Sequence, residues 1–316
     1  MRNEFLTTEP PEGETAVALG IFDGVHRAHR KILEAASRTE LEPWVFTFAS
    51  GQLPERKAGA PLLLSPEMKY RLMAGCGIRH VYAPEFASIH GMSGEEFVQE
   101  VLKNRLHAKK VFIGYDFRFG KNASCGAEEL AALCGENGME LTVIEEMDDM
   151  GLPISATRIR EAVQGGDTRT AFRLAGYPFV IDQPVVYGER LGTVHDLPTI
   201  NQPIPEGYCV PKFGVYAAAA LAGGKLYAAA ADVGVKPTVS EKGTVMAETH
   251  LIGWNGDLYG ERVPVFFLTY LREEREFGSE TELFAHIADD ASKAEAEAKS
   301  WLDTYGEALL AMLGEK

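Results

Sequence analysis

Up to about residue 176, short apolar runs alternate with helical stretches, whereas beyond about 183 strand-like runs follow one another with few helical periods between them. This change of texture limits the fold more than any other feature of the chain. In the front part, TAVALGIF (15–22) runs into a helical spacing of Val25, His29, Ile32, Leu33 and Ala36 over 25–39. Similar apolar runs recur at 43–48, 79–83, 109–114 and 139–145, with helix starts signalled by Ser65-Pro66 and by Ser93 followed by Glu96. Strands alternating with helices imply βαβ units and a parallel sheet covered on both faces. In the back part, FGVYAAAALA and KLYAAAADVG flank Gly223-Gly224 as a hairpin, and VMAETHLI and RVPVFFLTYL add two strands around Asn255-Gly256. Consecutive antiparallel strands suggest a small barrel or sandwich. From 281 onward Leu283, Ile287, Ala291, Ala294, Ala298, Leu302, Tyr305 and Leu309 step by three or four, marking one amphipathic helix packed on it. The expected domains are 1–180 and 181–316, in keeping with 316 residues and a typical domain of about 150.

Composition excludes several classes of function. Charged residues make up 24% and hydrophobic ones 46%, which places the chain among folded globular proteins. A net charge of −15 argues against a non-specific grip on nucleic acid or an anionic membrane, both of which need a basic face. Nearly half of the imbalance lies after Glu273, where a solvated helix face is expected. No apolar stretch approaches the roughly 20 residues that span a bilayer, and the N-terminus lacks the apolar core of a signal peptide, so a cytoplasmic location is expected. Cys76, Cys125, Cys134 and Cys209 have no CxxC spacing and are expected to be reduced thiols with a packing role.

GIFDGVHRAH (20–29) lies where the first strand turns into the first helix. Asp23 is expected to cap that helix, with His26 in its first turn and His29 three residues on, on the same face near the positive helix end. Alone, the histidine pair reads equally as polar residues on a partly exposed helix. In a strand–turn–helix setting, two imidazoles beside free backbone N–H groups make a polyphosphate site. These residues resemble the GxFDGxHxGH signature of the HxGH nucleotidyltransferases, and the Phe-Asp-Gly-Val-His form resembles bacterial FAD synthetase. IGYDFRFGK (113–121) and ISATRIR (154–160) are similar to two further segments of that family. The resemblance implies a Rossmann-like domain that adenylylates FMN with ATP, in which Gly20, Phe22, Asp23 and Asp116 line the nucleotide site. It implies that Ser155, Thr157 and Arg158 hold ATP phosphates opposite His26 and His29. Two departures stand out: Ala28 replaces the glycine of HxGH, and ASGQLP follows Phe48 where the family carries His-Pro.

GERLGTVHDLPTIN (188–201) is similar, without a gap, to a riboflavin kinase segment, and GVYAAAA, DVGVKPT, AETHLI, DLYGERV and LREEREF follow in the order of that family. The resemblance implies a flavin kinase barrel in which Gly188 and Gly192 shape the phosphate loop and Thr199 and Asn201 bind Mg²⁺ and nucleotide phosphates. Glu248 corresponds to the general base; read from strand alternation alone it is equally a solvent-facing carboxylate paired with a lysine. Arg272 reads as a residue at the flavin rim or as a surface partner for Glu274. Asp196 stands where the family has glycine in a phosphate-facing turn and is expected to repel ATP. The whole chain thus resembles the bacterial bifunctional riboflavin kinase/FAD synthetase family, with ATP, riboflavin, FMN and Mg²⁺ as implied substrates and cofactor and no nucleic-acid or membrane partner. The rivals are an enzyme with one working head and a non-catalytic flavin-binding shell.

Overall fold

The computed structural model describes residues 9–48, 59–187, 199–236, 243–275 and 280–315, with side chains in the last stretch from 289 onward. The chain divides into two compact units. The first comprises residues 1–60, 66–155 and 312–314, and the second 61–65, 156–311 and 315–316.

The first unit is built on a parallel sheet of β1 (Thr15–Leu19), β2 (Glu42–Phe46), β3 (His80–Tyr82), β4 (Ala108–Gly114) and β5 (Glu140–Ile144), in the order β3-β2-β1-β4-β5. All five residues of central β1 are buried, as a strand covered on both faces requires. Helix α1 (Arg27–Ser37) follows β1 and turns Ile32, Leu33 and Ala36 inward, the stripe read from the sequence. Val25, which the spacing had placed on that helix, lies before it with φ of 33°. Helix α2 (Pro66–Gly75) begins with proline, whose missing N–H is harmless in a first turn. After the short α3 (Phe86–Ile89), α4 (Gly94–Glu96) opens with the expected Ser93–Glu96 capping box and continues as a π-helical stretch, Phe97–Arg105. Helix α5 (Ala127–Glu136) then leads to β5, and the strands β6 (Asp148–Asp149) and β7 (Leu152–Pro153) form a small hairpin. The core joins Val17, Leu19, Trp44 and Phe46 of the sheet to Phe97, Val98, Val101 and Leu102. Strand order reverses between β1 and β4, so the loops leaving their carboxyl ends flank a topological switch point, where open α/β sheets bind ligands.

The second unit starts with helices α6 (Ala156–Gly165) and α7 (Thr168–Ala175). A curled six-stranded antiparallel sheet follows: β8 (Phe179–Ile181), β9 (Thr199–Pro203), β10 (Gly214–Ala222), β11 (Lys225–Lys236), β12 (Thr244–Leu251) and β13 (Val265–Arg272). Its order is β8-β13-β10-β11-β12-β9, a half-barrel. The turn between β10 and β11 is Gly223-Gly224, with φ of 55° and 76°, the positive values a tight hairpin needs. Every residue of β10 is buried, and Ala217 to Ala220 expose nothing, so the small side chains let neighbours close over both faces.

Helix α8 (Glu280–Met312) ends the fold. Ala294, Ala298 and Leu309 are buried as the stripe predicted, but Tyr305 is 42% exposed, its ring resting near Phe172 and Trp301. The helix is not a uniformly solvated acidic face either, because Asp290 is buried. All four cysteines are free thiols, and burial pushes those of Cys76 and Cys134 up to about 11.

The compact units divide at Ser155/Ala156 rather than at 180, because α7 packs on β8 and β13 and Phe172 meets Trp301 and Tyr305 of α8. A fragment beginning at 181 lacks Leu174, Tyr177 and Phe179, all buried. At about 1.5–3 kcal/mol for each large apolar side chain, residues 156–316 should be more stable than 181–316 by about 3 kcal/mol or more. Urea unfolding of the two fragments checks this, and equal midpoints would refute it.

Candidate active sites

The first site forms at the switch point. Residues 20–26 leave β1 in a turn with φ of 51° at Phe22, 77° at Gly24 and 33° at Val25. Positive φ is ordinary for glycine but costs a phenylalanine or a β-branched valine on the order of 1–3 kcal/mol each. Such strain persists only where surrounding contacts over-determine it. The Phe22 ring is one such contact. It folds back over Gly20, where an added Cβ would lie 2.9 Å from the ring tip, so Gly20 is required by close approach. The ring also meets His29 edge-on at 5.4 Å.

The turn delivers His26, not Asp23, to the N-cap of α1. His26 has extended backbone angles, and its Nδ1 accepts the His29 N–H at 3.4 Å. The two imidazoles stack with ring centroids 3.5 Å apart and planes 16° apart, confirming that they share one face. A capping imidazole sits beside the N–H groups of the first turn. Ala28 is the second residue of α1 and does not occupy the left-handed region, so its backbone does not demand glycine.

Asp23 is buried under the turn rather than capping the helix. Beneath it, Lys69 of α2 is also buried; desolvation pushes its ammonium down to about 8, while the Asp23 carboxylate favours the charged form. Lys69 Nζ donates to Thr47 Oγ1 at 3.0 Å, and that hydroxyl donates to the Ile21 carbonyl, also at 3.0 Å. The sequence had not singled out Lys69. Its one signal is a cation among Met68, Tyr70, Leu72 and Met73, apolar residues that are all buried. On the other side of the switch point, Asp116 is exposed just past β4. Neighbouring Tyr115 is 48% exposed and hydrogen-bonds Glu146, which pushes its phenol up to about 12. Ser155 closes the first unit, whereas Thr157 and Arg158 begin α6 in the second.

The second site forms on β9 and β12. Their antiparallel register sets Asn201 directly opposite Glu248 and Thr199 opposite His250. Directly opposed side chains project from the same face, and residues two apart share it, so all four belong to one surface. Between them, Gln202 points inward and is fully buried, its amide donating to the Gln183 carbonyl at 2.6 Å and the Val263 carbonyl at 2.8 Å. This buried tether fixes the register that sets Asn201, also buried, on the other face of the strand, across from Glu248. Lys236 at the end of β11 forms an ion pair with Glu248 and reaches Asn201 Oδ1 at 3.5 Å. The lysine pairing foreseen for a plain strand carboxylate is therefore real, and it sits inside the constellation with Asn201.

Arg272 is held by Asp290 of α8. Its Nε donates to both carboxylate oxygens of Asp290 at 3.0 and 3.1 Å, anchoring β13 to α8. Asp290 was legible in principle: it falls between Ile287 and Ala294 on the apolar stripe, where a carboxylate needs a partner. Gly188, Gly192, Asp196 and the segment 49–54 lie outside the described residues. Among the described residues, no group of three or more His, Cys, Asp or Glu side chains could hold a metal ion, and no helix is long and apolar enough to cross a membrane.

Residues 8–158 match the FAD synthetase family and residues 175–298 match the riboflavin kinase family. The chain is 33% identical to the bifunctional riboflavin kinase/FMN adenylyltransferase of Escherichia coli K12 over 294 residues, covering 90% of this chain and 93% of that protein. It is 27% identical to the protein of that name from Listeria monocytogenes, covering 94% and 96%, and 29% identical to that from Bacillus subtilis, covering 90% and 92%. A solved structure described as a macrolide-efflux protein from Streptococcus pneumoniae superposes with a TM-score of 0.78 at 25% identity, covering 91% of this chain and 98% of that one. With both halves matched in order and nearly full length shared, the chain belongs to the bifunctional riboflavin kinase/FMN adenylyltransferase family.

Proposed function

We propose that the two constellations are the two active sites of one bifunctional transferase. The chain phosphorylates riboflavin to FMN with ATP and adenylylates FMN to FAD with a second ATP, releasing ADP and pyrophosphate. The observation that carries the kinase reading is the placement of Glu248 directly across from Asn201, with Thr199 on the same face. The stacked His26/His29 pair at the switch point supports the adenylyltransferase reading in the same way. We assign adenylyl transfer to the front domain and phosphorylation to the back domain.

In the first reaction, Glu248 accepts the proton of the ribityl 5′-hydroxyl as that oxygen forms its bond to the γ-phosphorus of ATP and the bond to the ADP oxygen breaks. Lys236 pairs with Glu248 and holds it in place before substrate arrives. Thr199 and Asn201 offer neutral oxygens, the kind Mg²⁺ takes when the triphosphate supplies the balancing charge. Lys236 touches the Asn201 oxygen, so the donor set fits the metal once the ammonium turns toward phosphate. The metal there would neutralise charge developing on the phosphates. In the second reaction, a phosphate oxygen of FMN attacks the α-phosphorus of ATP and pyrophosphate leaves. The FMN phosphate is already largely anionic, its second pKa being about 6, so no dedicated base is needed. His26, His29 and the N–H groups opening α1 stabilise the negative charge on the leaving pyrophosphate. Ser155, Thr157 and Arg158 are assigned to the ATP phosphates, and Gly20, Phe22, Asp23 and Asp116 to the nucleotide pocket. Reduced cysteines fit a cytoplasmic place for the protein.

Incubating the chain with riboflavin, Mg²⁺ and ATP should give FMN and then FAD by chromatography; finding neither would leave only a flavin-binding role. Glu248→Gln should cut FMN formation by about 10²–10⁴ while FAD formation from supplied FMN persists, and equal loss of both would remove Glu248 from its role. His29→Ala should do the reverse, lowering FAD formation by about 10²-fold or more with the kinase rate intact. Asp290→Asn loosens Arg272 and should raise the KM for riboflavin several-fold if Arg272 borders the flavin. An unchanged KM would confine Arg272 to anchoring α8.

A further inference from the structure

Lys69 is a buried cation that the adenylyl-transfer chemistry above does not use, and it lies under the turn that presents the histidines. We propose that Lys69 is a positioning residue for adenylyl transfer, holding the 20–26 turn in its strained shape through Thr47. The proposal rests on reading that turn as the triphosphate site.

Three observations carry it. The first is a directed chain of hydrogen bonds from Lys69 Nζ to Thr47 Oγ1 and from Thr47 Oγ1 to the Ile21 carbonyl. Thr47 itself is fixed, since its N–H donates to the Tyr82 carbonyl on β3 and its residue is fully buried. The lysine therefore reaches the turn through a rigid post at the end of β2. The second is burial: Lys69 is 7% exposed, so its ammonium, removed from water, is held where the Thr47 hydroxyl receives its hydrogen bond. The third is strain. Phe22 and Val25 hold positive φ values that neither residue prefers, and the Ile21 carbonyl that receives the hydrogen-bond chain adjoins Phe22. Gly20 N–H donates to the Phe46 carbonyl at 3.1 Å, tying the start of the turn to the same strand end. The turn is thus clamped to β2 from two sides, and the lysine completes the clamp.

The test uses the full chain, whose riboflavin kinase activity serves as an internal control for folding. Wild-type protein is first assayed for FAD formation from FMN and ATP, so that a failure of the site reading is seen by itself. Lys69→Met should lower kcat/KM for ATP in FAD formation by about 10- to 100-fold, the scale of misplacing a reacting group, with riboflavin phosphorylation unchanged. Thr47→Val breaks the chain without burying or removing a charge and should lower FAD formation several-fold at unchanged thermal stability; an unaltered rate would overturn the clamping role even if Lys69→Met does not fold. In the ligand-free protein, the ring ¹⁵N resonances of His26 and His29 should shift in Thr47→Val, and unmoved resonances would overturn the proposal whether or not wild-type protein makes FAD.

Discussion

A turn with left-handed backbone at Phe22, Gly24 and Val25 has to be forced, and the front half of the molecule is arranged to force it. Buried β1 brings the chain up through the middle of the sheet, and α1 takes it away, leaving a handful of residues to reverse direction at the switch point. Gly20 leaves room for the Phe22 ring, the ring braces His29, and His26 closes the turn as the helix cap. Everything the site offers a phosphate, the N–H groups opening α1 and two stacked imidazoles, depends on that geometry.

The back half solves a comparable problem with strand register instead of a strained turn. A slip of one residue in β9 would exchange the faces that Asn201 and Gln202 occupy, dismantling the constellation with Glu248. The two hydrogen bonds from the buried Gln202 amide make such a slip costly, because the polar group would lose both partners. Lys236 then joins Glu248 and Asn201, so the carboxylate and the amide oxygen share one cation. One unit thus positions its chemistry by over-constraining a turn and the other by pinning a register.

Periodicity and short motifs made much of this legible. Alternating apolar runs located all five parallel strands, and the Gly-Gly turn and alanine-rich segments located the central hairpin, because burial imposes a period on each element that sequence cannot hide. The histidine pair, Thr199, Asn201 and Glu248 were singled out for a different reason: the segments that carry them resemble those of a phosphate-transferring family. What escaped were the supports. Lys69, Gln202 and Asp290 are polar residues whose value lies in partners distant in sequence, Thr47, Gln183 and Val263, and Arg272 respectively. Local sequence at most marks Lys69 and Asp290 as charges among apolar residues and does not name the partners.

The amino-acid sequence by itself determined the two architectures, the order of their elements and the residues able to handle phosphate, since these follow from local periodicity and side-chain chemistry. Only the tertiary structure decided that His26 rather than Asp23 caps α1, that Arg272 is held by Asp290, and that α6 and α7 pack with the half-barrel. Each of those outcomes is a competition between partners far apart in the chain. Burial settles such competitions, because a charge or an apolar face removed from water must take the partner that folding brings to it.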